Sequence, residues 1–130
     1  MTTATMLSGL RFLVVDDEMM VAMYIEDMLI DLGCAAVECA GTVAKGLAIA
    51  SRNENGPDCA ILDVNVAGER CFLVADALAA RGIPFIFATG YGRSGVDARY
   101  ADRPVLTKPF DGPGFEQVVA AALGFSPRSR

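Results

Sequence analysis

Cys59-Ala60-Ile61-Leu62 is a short apolar run that stops on a carboxylate, Asp63. Gly56-Pro57 ahead of it and Gly68 behind it leave room for one strand. A strand with no polar alternation is one buried on both faces. A chain built around such a strand must cover a sheet from two sides. Asp63 stands where the strand leaves the core, on a rigid element yet close to the surface. Three more runs stop the same way: Arg11 to Val15 on Asp16-Asp17-Glu18, Pro84 to Ala88 on Thr89, and Pro104 to Thr107 on Lys108.

Helical spacing fills the intervals. Val21, Ile25, Met28, Leu29 and Leu32 predict a helix from Glu18 to Leu32, with Gly33 as its C-terminal cap. Cys34 to Val37 reads as a second strand, and Thr42 as the cap of a helix running to about Arg52. Glu69 to Arg81 reads as a third helix ended by Gly82, and Asp111 to Leu123 as the last. Between them, Gly90 to Arg103 carries Gly92 and Gly95 and few apolar anchors. The fourth helix is therefore expected to be short, around Val96 to Tyr100, or mobile. Strand–helix alternation repeated five times predicts an α/β fold, a parallel sheet with helices on both faces. One domain is expected: residues 1–10 as an N-terminal extension, 11–124 as the folded unit, 125–130 as a flexible tail.

Composition removes several function classes. The hydrophobic fraction is 53%, yet no segment approaches the roughly 18 to 20 apolar residues that cross a bilayer. Met1 to Leu10 lacks the basic start and apolar stretch of a signal peptide, so a cytoplasmic protein without membrane insertion is expected. Acidic residues outnumber basic ones 16 to 11 with no basic run, which argues against nucleic acid. The chain has no histidine. Ser-His and Cys-His nucleophiles and mixed Cys/His zinc sites are thereby excluded. Cys34, Cys39, Cys59 and Cys71 lack CxxC spacing and read as buried thiols of a reducing compartment.

In parallel α/β sheets, ligands bind outside the carboxyl ends of the strands. That rim gathers Asp16 and Asp17, Asp63, Thr89 and Lys108 from four strands. Each alone has a plainer role: acids at a helix start, a turn aspartate, a capping hydroxyl, a solvated lysine. Asn65 reads as a loop former, and Met19, Met20 and Met23 as core or surface filler. Together the five rim residues point to phosphate chemistry. Crowded carboxylates repel unless a cation joins them. Oxygen-only ligands suit Mg²⁺, and Mg²⁺ plus Lys108 balance three aspartates. Asp63, on the central strand, is the natural nucleophile, with Asp16 and Asp17 on the metal and Thr89 and Lys108 on phosphate oxygens.

The acidic pair Asp16-Asp17 with Glu18, the strand-end Asp63, Thr89, and Lys108-Pro109-Phe110, in that order and spacing, resemble a bacterial two-component response-regulator receiver domain over nearly the whole chain. The resemblance implies a flavodoxin-like sheet in the order 2-1-3-4-5 and Asp63 as phosphoacceptor for a sensor histidine kinase or phosphotransfer protein. It implies Mg²⁺ held by Asp17, Asp63 and the backbone carbonyl of Asn65, supported by Asp16, with Thr89 and Lys108 on the phosphoryl group. The Lys108-Pro109 bond is often cis in such domains. Pro84-Phe85-Ile86-Phe87-Ala88-Thr89-Gly90-Tyr91 is similar to an alphaproteobacterial subgroup with a Phe-Ala-Thr-Gly-x-Tyr signature, here with the tyrosine directly after Gly90. Most receivers carry an aromatic residue three positions before the lysine; this chain has Val105. A switch that orders Gly90 to Arg103 on phosphorylation, reported by Tyr91 or Tyr100, is expected instead.

Seven residues follow Leu123, so no effector domain is expected, and no enzymatic output beyond the chain's own phosphorylation and dephosphorylation. Output would then run through a downstream protein target or a phosphorelay, or the chain would act as a phosphate sink for its kinase. Two other readings compete: a pseudo-receiver that only binds, opposed by the intact five-residue set, and a Mg²⁺-dependent phosphatase, opposed by the lack of a further acid–base group.

Overall fold

A computed structural model describes residues 7–66, 68–90, 96 and 98–124. In chain order it contains β1 (Arg11–Val15), α1 (Met19–Asp31), β2 (Ala36–Ala40), α2 (Val43–Ala50), β3 (Cys59–Asp63), α3 (Phe72–Ala80), β4 (Phe85–Thr89), β5 (Val105–Thr107) and α4 (Gly112–Ala122). A two-residue hairpin, Asn65–Val66 with Glu69–Arg70, lies between β3 and α3, and a 3₁₀ turn, Ala98–Tyr100, lies between β4 and β5. The five main strands pair in parallel in the order β2-β1-β3-β4-β5, a flavodoxin-like sheet. No helix among the described residues is long and apolar enough to cross a membrane.

Every residue of β3 and of β4 is buried, as a strand covered from both sides requires. Alternation along the strands sorts the core into two halves. Leu13, Val15, Leu62, Phe85 and Phe87 pack with Val43 and Ile49 of α2 and Val74 and Leu78 of α3. Phe12, Val14, Ile61, Ile86 and Leu106 pack with Ile25 and Leu29 of α1 and Phe115 and Val119 of α4. Thr42 and Asp111 cap α2 and α4, accepting from the backbone N–H of Lys45 at 3.1 Å and of Gly114 at 2.8 Å. Gly33 ends α1 with φ +93°, a conformation that costs glycine little.

Four expectations need correction. The second strand is Ala36–Ala40 rather than 34–37. Its polar interruption, Glu38, is tolerated because β2 is an edge strand and the carboxylate pairs with Arg52 at 2.9 Å. Cys34 instead bridges Ser8, and Leu7 is fully buried with its N–H on the Leu32 carbonyl, so Leu7, assigned to the N-terminal extension, belongs to the core. The third helix starts at Phe72, three residues late, because Glu69–Arg70 pairs back onto Asn65–Val66 across Gly68 at φ +86°. Asn65 is thus a strand residue and not a loop former. In the Gly90 to Arg103 segment the described regular structure is the single 3₁₀ turn; Tyr91, Gly92 and Gly95 lie outside the described residues.

Candidate functional site

The carboxyl ends of β1, β3, β4 and β5 meet at one rim. β1 ends at Val15, and the Asp16 N–H bonds the Ala40 carbonyl at 3.0 Å, which carries the chain past the strand end beside β2. Asp63 and Thr89 are the last residues of β3 and β4, and Asp63 pairs in register with Ala88. The Lys108 N–H bonds the Thr89 carbonyl at 2.9 Å, tying the residue after β5 to the end of β4. The Lys108–Pro109 peptide bond is cis.

Three buried polar residues sit here: Asp16, Asp63 and Thr89, with 4%, 8% and 2% of their surface exposed. Water therefore contributes little to solvating them, and their neighbours decide their chemistry. Carboxylate oxygens of Asp16, Asp17 and Asp63 lie within 4.8 Å of one another, and no other such acidic or thiol group occurs among the described residues. The Lys108 ammonium reaches between two of them, 3.3 Å from Asp16 Oδ2 and 3.4 Å from Asp63 Oδ2, with Glu18 Oε1 at 3.9 Å. The other oxygens of the buried pair accept backbone N–H bonds. Asp16 Oδ1 takes that of Glu18 at 2.9 Å, and Asp63 Oδ1 takes that of Asn65 at 3.3 Å.

The helix-capping alternative for the acidic triplet fails. Glu18 is the N-cap of α1 but makes no side-chain cap bond, and the first turn holds no acid. Asp16 instead turns back toward Lys108. Burial pushes the Asp63 carboxyl above its ordinary pKa, and repulsion from Asp16 adds to this against the pull of Lys108 and the Asn65 N–H. The Lys108 pKa is raised as well: burial lowers it, but attraction to Asp16 and Asp63 outweighs that. Asp63 is thus an electron-rich carboxylate under stress, beside a lysine held firmly cationic.

The donor set fits a small divalent cation. It is all oxygen, carries three formal negative charges, and opens to solvent at exposed Asp17. Asn65 is placed two residues beyond Asp63 with its side chain exposed and its backbone against the Asp63 carboxylate. Of the expected switch residues, Val105 pairs in register with Phe87 and is partly buried, Tyr100 is buried at 8% exposure, and Tyr91 lies outside the described residues.

Two features were not read from the sequence. A groove of about 390 Å³ lies beside Lys108, lined by Val21, Tyr24, Pro109 and Phe110; Tyr24 stacks on Phe110 with ring centres 5.8 Å apart. The Lys108-Pro109-Phe110 motif marks one wall, but the pairing with α1 is a tertiary contact without a local signal. The second is a hydrogen bond from the Tyr100 hydroxyl to Asp76 of α3.

No protein-family model and no curated protein matches the chain. Solved structures do. SdrG from Sphingomonas melonis Fr1 is 47% identical with a TM-score of 0.78, over 88% of this chain and 97% of that one. A structure of SdrG from Pseudomonas melonis Fr1 in its BeF3-activated conformation is 47% identical with a TM-score of 0.74, over 89% and 98%. A response regulator receiver protein from Sinorhizobium medicae WSM419 shares the fold at 19% identity, with a TM-score of 0.73 over 89% and 95%. With the rim of carboxylates, hydroxyl and lysine and this near-complete match to SdrG, the chain belongs to the response-regulator receiver family.

Proposed function

We propose that this protein is a phosphorylation-dependent signalling receiver, in which Asp63 accepts a phosphoryl group from a phosphohistidine on a sensor histidine kinase or phosphotransfer protein. The observation that carries the reading is the position of Lys108, within 3.3 to 3.4 Å of both Asp16 and Asp63 while three carboxylates crowd within 4.8 Å. Such an arrangement is costly for stability and useful for an incoming phosphoryl group.

In the transfer, an Asp63 carboxylate oxygen forms the new P–O bond as the donor's P–N bond breaks. The imidazole leaves with the electron pair and takes its proton from solvent. Lys108 then has a phosphoryl oxygen to pair with where it now shares itself between two aspartates, and the hydroxyl of Thr89, the last residue of β4, would donate to another. Asp16, Asp17, Asp63 and the Asn65 carbonyl are the groups that would hold Mg²⁺, which would supply positive charge to offset that of the transferring phosphoryl group. That SdrG has been captured in a BeF3-activated conformation supports the reading, since BeF3 imitates a phosphoryl group. Output through a downstream protein target or a phosphorelay follows from the same reading.

Intact mass after incubation with acetyl phosphate and Mg²⁺ tests the assignment. One added phosphoryl group that disappears without Mg²⁺ and in Asp63→Asn is the expected result. A gain that persists in Asp63→Asn, with Asp63 unmodified in the native chain, overturns it.

A further inference from the structure

Tyr100 is buried in the same half of the core against which the partly buried Val105 packs. Its ring centre lies 5.3 Å from that of Phe85, 5.9 Å from Phe87 and 6.5 Å from Phe72. Its hydroxyl donates to Asp76 on α3, whose carboxylate also pairs with Arg99 of the same turn at 3.1 Å. Arg103 covers the cluster from outside, 4.3 Å above the Phe85 ring. Burial and the Asp76 carboxylate both push the Tyr100 hydroxyl's pKa up, which keeps it a donor. One side chain thus fastens the 3₁₀ turn to α3.

The fastening is contiguous with the phosphoryl site. Phe85, Phe87 and Thr89 alternate along β4 and so project from one face, while Ile86 and Ala88 belong to the opposite half of the core. Any displacement of Thr89 toward a group on Asp63 bears first on Phe87, two residues back. Phe87 packs on Tyr100 and on Phe72, the first residue of α3. Close-packed aromatic side chains do not absorb such a movement by compression. The next yielding element is the Tyr100–Asp76 bond, whose carboxylate is 40% exposed and can exchange the phenol for water.

We propose that Tyr100 is a latch: its bond to Asp76 holds the 3₁₀ turn on α3 while Asp63 is unmodified, and a phosphoryl group on Asp63 releases it, reporting the modification on the α3 surface. This rests on the phosphoacceptor reading of Asp63, and it reverses the sense expected of the switch: the 3₁₀ turn is already fastened to α3, so phosphorylation loosens it rather than orders it. Linkage makes the coupling reciprocal, so removing the latch must tighten binding at Asp63 by the same factor by which binding loosens the latch.

The experiment uses Mg²⁺ with beryllium fluoride on the full chain carrying isotope-labelled tyrosine, with the three tyrosines assigned by single Tyr→Phe variants. The Tyr100 ring resonances and the Asn65 amide are followed together. Expected are a shift of both in the native chain, and affinity for beryllium fluoride raised about fivefold in Tyr100→Phe and in Asp76→Asn. A shift at Asn65 with Tyr100 unmoved overturns the latch and leaves the phosphoacceptor intact, as does unchanged affinity in both variants. No shift at Asn65 overturns the phosphoacceptor reading itself, and the latch with it.

Discussion

Asp63→Asn is expected to make the protein more stable while abolishing its chemistry. Asp63 lies 3.4 Å from the Lys108 ammonium, an attraction of about 5 kcal/mol at an effective dielectric constant of about 20. Its nearest ligand-type oxygen is within 4.8 Å of Asp16's, a repulsion of at least about 3 kcal/mol on the same scale. The remainder is set against the cost of holding a charge at a position only 8% exposed. The raised pKa of Asp63 shows which side wins: burial, with Asp16, outweighs Lys108 and the Asn65 N–H. Asparagine keeps the shape and one acceptor, removes the charge, and leaves Lys108 paired with Asp16 at 3.3 Å.

Because terms of several kcal/mol oppose one another, the net gain at pH 7 in EDTA is expected to be about 1 kcal/mol, or about 3 to 5 °C in Tm for a domain of this size. The pH dependence follows from the direction of the shift. A carboxyl with a raised folded pKa favours the folded state fully below its unfolded pKa, and that contribution is lost as pH rises through the folded value. Native and variant chains should therefore be equally affected by this site below about pH 4. Their difference should open above that and level off once pH passes the folded pKa. Mg²⁺ should reverse the ranking, since it stabilises only the chain that binds it, by about 2.7 kcal/mol at a hundred times its Kd. Urea unfolding followed by circular dichroism, with and without Mg²⁺ from pH 4 to 8, measures all of this. A variant less stable than the native chain at pH 7 in EDTA would refute this balance of charges.

Lys108→Gln leaves Asp16 and Asp63 facing each other and should cost about 2 to 4 kcal/mol in EDTA, with phosphorylation by acetyl phosphate slowed at least about tenfold. Since Lys108 has a raised folded pKa, its contribution is complete below about pH 10 and lost above its folded value, so the native chain should lose stability at alkaline pH by a step absent from Lys108→Gln. Gly46→Ala sets a helix-propensity gain of about 1 kcal/mol against a methyl 2.9 Å from Val15 Cγ2. Overpacking against a buried, β-branched neighbour should win by about 1 kcal/mol in urea unfolding, and the same substitution made in a Val15→Ala chain should lose most of that penalty relative to Val15→Ala alone. Thr42→Ala removes the 3.1 Å cap bond of α2 and should cost about 1 kcal/mol in the same assay.

The sheet was legible because its strands announce themselves in two ways at once. β3 and β4 are unbroken apolar runs, and each ends on the polar residue that the rim uses. The misplacements fall where tertiary pairing overrides local pattern. Glu38 interrupts an apolar run and pulled the expected second strand toward Cys34, yet an edge strand with Arg52 alongside accepts it. Glu69-Arg70 has fair helix propensity and follows a glycine, but the hairpin with Asn65–Val66 captures it before α3 begins. Leu7 looked like part of a tail because nothing around it repeats. Its partners are Leu32 and the α1 face, which only the folded chain brings to it.

The site was more legible than the fold's margins for a physical reason. Asp16, Asp63, Thr89 and Lys108 each follow or end a strand of one parallel sheet, so their convergence is a consequence of topology and needs no contact to be foreseen. What topology does not contain is the partition of one lysine between two acids, or the reach of Tyr100 across to Asp76. Both depend on side-chain rotamers set by packing, 24 residues apart in the second case. Val105 supplied the only hint of the latter, as a small residue where a larger one would compete with Tyr100 for the space beside Phe87. Val105→Tyr should therefore expel the Tyr100 ring and raise the hydrogen-exchange rate of the Arg103 amide, which now bonds the Tyr100 carbonyl at 3.0 Å. An Arg103 amide as protected in Val105→Tyr as in the native chain would show that the two aromatic positions are independent.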